Sequence, residues 1–210
     1  DIAGNVSEVS TYVFTLDIDT PDAPGIELSV DTGGSSSDKV TSKAELTLSG
    51  VENDAAVLYS ANGGVDWSDA FIAVLGSNSV MVRQSDTAGN VSATSTPYTF
   101  TLDTTSPAIT SLAGKSGEVG SATVLLTYDS VLDTSELPDP TAFNVTTGGV
   151  NNPVSTITVD GNVMTLTLTN AFKPGAVSVK YTDPSVGDDV KSIQDVAGND
   201  AAGFSSGLVA

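Results

Sequence analysis

Three carboxylates stand close together in Asp17-Ile-Asp19-Thr-Pro-Asp22. On an extended backbone, alternate side chains point the same way, so Asp17 and Asp19 can converge on one ion. Carboxylate and carbonyl oxygen is what calcium takes, about six to eight atoms at a time. Two or three Asp residues cannot complete such a shell. Backbone carbonyls, water and a loop must add to it, with Glu52, Asp54 and the Asp86–Asn90 loop as the plausible donors. A second junction, Asp103-Thr-Thr-Ser-Pro107, keeps one carboxylate where the first has two. A third acidic stretch holds Asp183, Asp188, Asp189, Asp195 and Asp200. Its charges repel unless they face apart or share a cation. The sequence therefore predicts Ca2+ as the cofactor, at Asp17, Asp19, Asp22 and Asp103 and within the 183–200 stretch. A solvated acidic linker is the competing reading.

Other chemistry is narrowed by what the chain lacks. It has no Cys and no His. Disulfides, thiolate nucleophiles, imidazole bases and imidazole metal ligands are thus excluded within it. Paired carboxylates could serve a glycosidase, but that reaction also needs a cleft with aromatic platforms. The chain has one Trp, Trp67, placed just after the Gly63-Gly64 turn, where a packing role is expected. No enzyme activity is expected. There are 26 acidic residues against 7 basic ones, a formal charge of −19. Such a surface repels phosphate backbones and anionic lipid, so neither nucleic acid nor direct membrane insertion is expected. Hydrophobic residues make up 39% of the chain, enough to build a core rather than a disordered acidic tail.

The elements that must position these acids come from a repeat. Asp1-Ile-Ala-Gly-Asn-Val-Ser7 recurs as Asp86-Thr-Ala-Gly-Asn-Val-Ser92. Tyr12-Val-Phe-Thr-Leu-Asp17 recurs as Tyr98-Thr-Phe-Thr-Leu-Asp103, with Pro97 as a one-residue insertion. A shorter echo is Asp195-Val-Ala-Gly-Asn199. In each loop, Gly and Asn accept positive φ and Asp can cap the turn, so a tight turn is the expected structural role. The spacing of the repeats is about that of one β-sandwich module.

The intervening sequence reads as all-β. Strands are expected at 26–30, 44–49, 57–60, 71–75, 80–83, 98–102, 123–128, 143–147, 154–159, 163–168 and 177–181, mostly from alternating apolar positions. Turns are expected at Asn62–Gly64, Gly76–Asn78 and Ala88–Asn90. Asp160-Gly161 predicts a type I′ hairpin, and Pro138-Asp139-Pro140 a loop. Residues 1–16 read as the terminal strand segment of a preceding module. Residues 17–103 read as one sandwich, and residues 104–210 as a second, divergent one. The chain starts without an initiator Met or a leader and reads as a piece of a longer polypeptide.

The Asp-x-Ala-Gly-Asn-x-Ser…Phe-Thr-Leu-Asp…Pro pattern, at 1–21 and 86–107, resembles the bacterial immunoglobulin-like repeats of large RTX-type adhesins and biofilm surface proteins. Tyr59-Ser-Ala-Asn-Gly-Gly64 and Trp67 look like that family's mid-domain hairpin and tryptophan. Tyr181-Thr-Asp-Pro184 and Ile193-Gln-Asp-Val-Ala-Gly-Asn-Asp200 resemble the end of the repeat named for cyanobacterial swimming proteins. No Gly-Gly-x-Gly-x-Asp nonapeptide is present.

The resemblance implies tandem immunoglobulin-like β-sandwich modules in an elongated arrangement, on the outside of a bacterial cell, stiffened by calcium. The expected function is an extender that projects a ligand-binding tip. The alternative is an adhesion module binding a sugar or peptide, with loops near 130–140 and 183–189 as its place. Neighbouring modules of the same polypeptide are the expected partners, with a host or biofilm glycan or peptide as a further one, and the chain is expected to be monomeric.

Overall fold

The computed structural model describes residues 1–116, 122–184 and 191–208. Among the described residues it is all-β, with fourteen strands and one 3-10 turn. Among the described residues no helix is long and apolar enough to cross a membrane.

The first group of strands is β1 (Gly25–Leu28), β2 (Val40–Thr41), β3 (Leu46–Ser49), β4 (Ala56–Ser60), β5 (Gly76–Ser85) and β6 (Tyr98–Leu102). β1 pairs with β3, and a second sheet runs β2-β6-β5-β4. All pairs are antiparallel except β2 with β6. β5 organises this half. Its first five residues pair with β6 and its last five with β4. Asn78, Val80, Val82 and Gln84 alternate along it and are buried. Leu28, Val80 and Phe100 form a small core, with Ile26, Leu46, Phe71 and Leu102 packed around it.

The second group is β7 (Ile109–Ser116), β8 (Ala122–Tyr128), β9 (Phe143–Thr147), β10 (Val150–Asn151), β11 (Val154–Asp160), β12 (Val163–Leu168), β13 (Val177–Tyr181) and β14 (Phe204–Leu208). These form two four-stranded sheets, β11-β12-β8-β7 and β10-β9-β13-β14. One core lies between them. β8 supplies Ala122, Val124, Leu126 and Tyr128, and β12 supplies Met164, Leu166 and Leu168. The facing sheet supplies Phe143, Val145, Val177, Val179 and Tyr181. Every second residue of each strand points inward, as a half-buried strand requires.

The structure corrects three local expectations. Residues 71–75 form no strand. The Asn78 side chain takes their place in the hydrogen-bond pattern: Val74 N donates to its Oδ1, and its Nδ2 donates to Val74 O. Gly76–Asn78 is not a turn but the start of β5. The β11–β12 hairpin forms at Gly161-Asn162, but only the first of these two residues has a positive φ, 59° at Gly161. That is the pattern of a type II′ turn rather than type I′. At Pro138-Asp139-Pro140 the loop enters the single 3-10 turn, Pro140–Ala142, which Asp139 caps through Thr141 N.

Residues 1–20 are exposed throughout, including Tyr12, Val13, Phe14 and Leu16. The chain as a whole exposes 12273 Å². A compact protein of 21.2 kDa exposes about 9,100 Å². The unpaired segment accounts for much of that excess.

Candidate functional site

The repeated turn is a closed set of hydrogen bonds. In the second copy, Asp86 N donates to Asn90 O at 3.1 Å and Gly89 N to Asp86 O at 3.2 Å. Asn90 N and Nδ2 donate to the two oxygens of the Asp86 carboxylate, each at 2.8 Å. Gly89 has φ 92°, which side chains disfavour and glycine adopts freely. Asp195–Asn199 repeats the pattern: Asn199 N donates to Asp195 Oδ1 at 3.0 Å and Asn199 Nδ2 to Oδ2 at 3.0 Å, with Gly198 at φ 86°. Asp1–Asn5 does the same with no neighbour against it. The turn is therefore self-sufficient.

The Ser that follows serves the sheet. Ser92 N donates to Gln84 O, and Ser92 Oγ accepts from Gln84 N at 3.0 Å. Ser95 repeats this at Val82. Serine side chains thus extend the pairing of β5 beyond the end of β6.

The turn also reaches outward. Asn90 Nδ2 donates to the backbone carbonyl of Asp17 at 3.3 Å. Asn199 Nδ2 donates to the backbone carbonyl of Asp103 at 3.0 Å. Asp17 and Asp103 are equivalent positions of the repeat, each following Phe-Thr-Leu. Each turn thus holds the residue that leaves the preceding Phe-Thr-Leu segment. The sequence names the Asp86–Asn90 loop as a donor beside Asp17, and the structure places the two together through this N–H to carbonyl bond.

The joint at Asp103 has further contacts. Asp103 N donates to Thr41 O at 2.9 Å. Thr32 Oγ1 lies 3.0 Å from Thr41 Oγ1 and donates to Ala197 O at 2.6 Å. A Cβ on Gly33 would overlap the Val196 carbonyl, and one on Gly34 would overlap the Asp133 carboxylate. Gly33 lets the 31–34 loop lie flat on the later turn, and Gly34 lets it pass close to Asp133. Neither Thr32 nor this glycine pair stood out in the sequence, because a Thr-Gly-Gly run reads as an ordinary loop.

Of the acidic positions, Asp103 and Asp195 are brought together at the joint, bridged by Asn199. Asp17, Asp19 and Asp22 are exposed. Asp17 Oδ1 accepts from Asp19 N at 3.1 Å. The carbonyl of Asp22 accepts from Gln84 Nε2. The Asp103 carboxylate accepts from Thr105 N. Asp195 is buried, and each of its oxygens receives an N–H of its own turn. Asp200 accepts from Gln194 Nε2, and Asp183 is half-buried. Asp188 and Asp189 lie outside the described residues. Among the described residues, no three acidic side chains gather to hold a metal.

Residues 102–186 match the family model described as a "putative flagellar system-associated repeat". The matched stretch begins at the last residue of β6 and contains β7 to β13. The turn at Asp195–Asn199 follows it. None of the curated proteins matches the chain.

The turns at Asp86 and Asp195 differ in electrostatics. The Asp86 carboxyl is held below its ordinary range, first by the Asn90 side chain and then by backbone N–H groups. The Asp195 carboxyl is pushed above its ordinary range by burial, with the Asp103 carboxylate adding to this and the same N–H donors opposing it. The signs for stability are opposite. Asp86 contributes stability above its unfolded pKa that is lost as pH falls through its folded one. Asp195 gives a contribution present at low pH and lost as pH rises through its raised folded pKa. A carboxyl-carbon NMR titration is expected to place the Asp86 midpoint below 3.8 and that of Asp195 above it. Coincident midpoints would show that burial does not separate the two turns.

Trp67 has a packing role. Its Nε1 donates to Gly64 O at 3.0 Å, and the Arg83 guanidinium lies 4.1 Å from its ring centroid. Cation and ring attract at that separation.

Proposed function

We propose that this chain is a structural extender of a large bacterial surface adhesin, built from immunoglobulin-like sandwich modules in series. The observation that carries the reading is the joint at Asp103. The β6 exit is held by Asn199 of the following half, and the Thr32 loop rests on the same turn. Two separate cores stand on either side of it. A spacer needs such a joint, because modules linked only by a flexible strand would not project a tip.

The strand arrangement supports the module type. Immunoglobulin-like sandwiches divide about seven short, mostly antiparallel strands between two sheets. The six strands β1–β6 fall into two sheets, β1-β3 and β2-β6-β5-β4. The match of 102–186 to a flagellar-associated repeat is compatible with an extracellular location. In this reading the module boundaries are 17–103 and 104–210.

In this reading stiffness comes from hydrogen bonds between protein groups, and a chelator comparison measures what calcium adds. Backbone 15N relaxation gives each half its own rotational correlation time. One shared value, in chelator as in calcium, is the expected result. A shared value in calcium alone would assign the stiffness to the ion. Two independent values in both conditions would remove the extender reading.

A further inference from the structure

The turns Asp86–Asn90 and Asp195–Asn199 share their internal bonds but not their surroundings. In the later turn, Ala197 and Gly198 are buried under residues 32–34. In the earlier turn, Thr87, Ala88 and Gly89 are exposed, and a Cβ on Gly89 would meet nothing within 4 Å. We infer that the exposed face of Asp86–Asn90 is a docking site for the Thr-Gly-Gly loop, or its counterpart, of a module placed ahead of Asp17.

The inference rests on the tandem-module reading, and its occupant follows from connectivity. Thr32 is fixed relative to Asp103 through one strand. Thr32 is bonded to Thr41, Thr41 pairs with Leu102, and Asp103 N donates to Thr41 O. Residues 12–16 repeat the sequence of β6, ending on Leu16 ahead of Asp17. A module that uses 12–16 as its last strand must carry a β2 counterpart beside Leu16. Its 31–34 counterpart then lies next to Asp17. Asn90 holds Asp17 as Asn199 holds Asp103. The loop therefore arrives over Thr87–Gly89.

The chemistry the site takes is equally defined. The turn offers the Ala88 carbonyl, equivalent to the Ala197 carbonyl that receives the Thr32 hydroxyl. It also offers a flat surface at Gly89. The partner must bring a hydroxyl donor followed by residues without Cβ, since a side chain at Gly33 would strike the turn carbonyl. The loop 31–34 of a second copy is not free for this, being already seated on 195–199. The occupant is a preceding module of the same kind.

The test joins residues 17–85 ahead of residue 1 of the full chain, so that 1–16 can supply the missing turn and last strand of the added module. Amide hydrogen exchange is then read at two places. Protection of residues 12–16 reports that the added module has closed. Exchange at residues 87–90 reports docking, and is expected to slow at least about tenfold relative to the 210-residue chain. Gly33→Val in the added module alone is expected to restore fast exchange at 87–90. Closure without slowing at 87–90 overturns the inference. If 12–16 stays unprotected, the same readout is made with residues 17–102 replacing 1–16, and unchanged exchange at 87–90 of the inner module again overturns it. Either failure would leave the joint at Asp103, measured by relaxation in the shorter chain, standing on its own.

Discussion

Gln84→Leu is expected to destabilise the N-terminal half by about 2–4 kcal/mol while leaving the C-terminal half unchanged. Gln84 is 1% exposed and sits on the same inward face of β5 as Val80 and Val82. Its side chain closes three strand ends at once. Nε2 donates to the carbonyls of Asp22 and Gly50 at 2.8 and 2.9 Å, and Oε1 accepts from Glu52 N at 2.8 Å. Leucine has a similar volume, so packing is largely kept and the bonds are lost. Each buried group left unsatisfied costs about 1–3 kcal/mol. Asp22, Gly50 and Glu52 lie at the surface, where water can restore part of the loss, hence the lower total. Urea unfolding followed by fluorescence reads this half selectively, because Trp67 is the sole tryptophan. Gln84→Glu adds a signed control. A carboxylate there would face two carbonyls, so its folded pKa is raised and the variant regains stability as pH falls and the carboxyl becomes a donor. A midpoint within experimental error of wild type for Gln84→Leu would mean that the three strand ends are held by something else.

Gln84 also marks where the sequence is readable and where it is not. The alternation Val80, Val82, Gln84 placed it on the core face, but pattern alone gives no reason for a buried amide. The partners lie 32 to 62 residues away, at Glu52, Gly50 and Asp22. Strands with clean alternation were legible. The predicted 143–147, 163–168 and 177–181 are β9, β12 and β13 to the residue. β2, β7, β10 and β14 were not. β2 and β10 have two residues each, too few to show a period. β7 and β14 contain Gly and Ser and expose most of their length. In the 71–75 run, the N–H and carbonyl of Val74 go to one side chain, Asn78, and not to a strand partner. At the turns, the motif itself was legible because all of its bonds are local. What it touches was not, since Thr32 and Ala197 are 165 residues apart. The acids were visible by type, yet carboxylate spacing does not say whether N–H groups or an ion will meet them.

Asn199→Ala is expected to cost about 2–4 kcal/mol in the C-terminal half, against less than about 1 kcal/mol for Asn90→Ala in the N-terminal half. The two side chains make the same bonds, so the difference isolates burial. Asn199 is 6% exposed and Asp195 1%, while Asn90 and Asp86 are half-buried beside open solvent. Removing Asn90 lets water replace the amide on the Asp86 carboxylate. Removing Asn199 leaves Asp195 Oδ2 and the Asp103 carbonyl without their donor inside the joint. A buried charge deprived of a hydrogen bond shifts toward its neutral form. The Asp195 carboxyl, already raised by burial, should rise further in the variant. The penalty is therefore largest at neutral pH and shrinks as pH falls through that raised pKa, because protonated Asp195 no longer needs the amide. Denaturation of both variants at pH 7 and near pH 4, followed by amide NMR so that each half is read separately, measures all four values. Equal penalties for Asn90→Ala and Asn199→Ala at pH 7 would show that the later turn is not a dry joint. A penalty for Asn199→Ala that grows on acidification would show that its side chain works through something other than the Asp195 carboxylate. The expected pattern assigns one local motif two strengths, set by whether another loop of the chain covers it, as residues 32–34 cover 196–198.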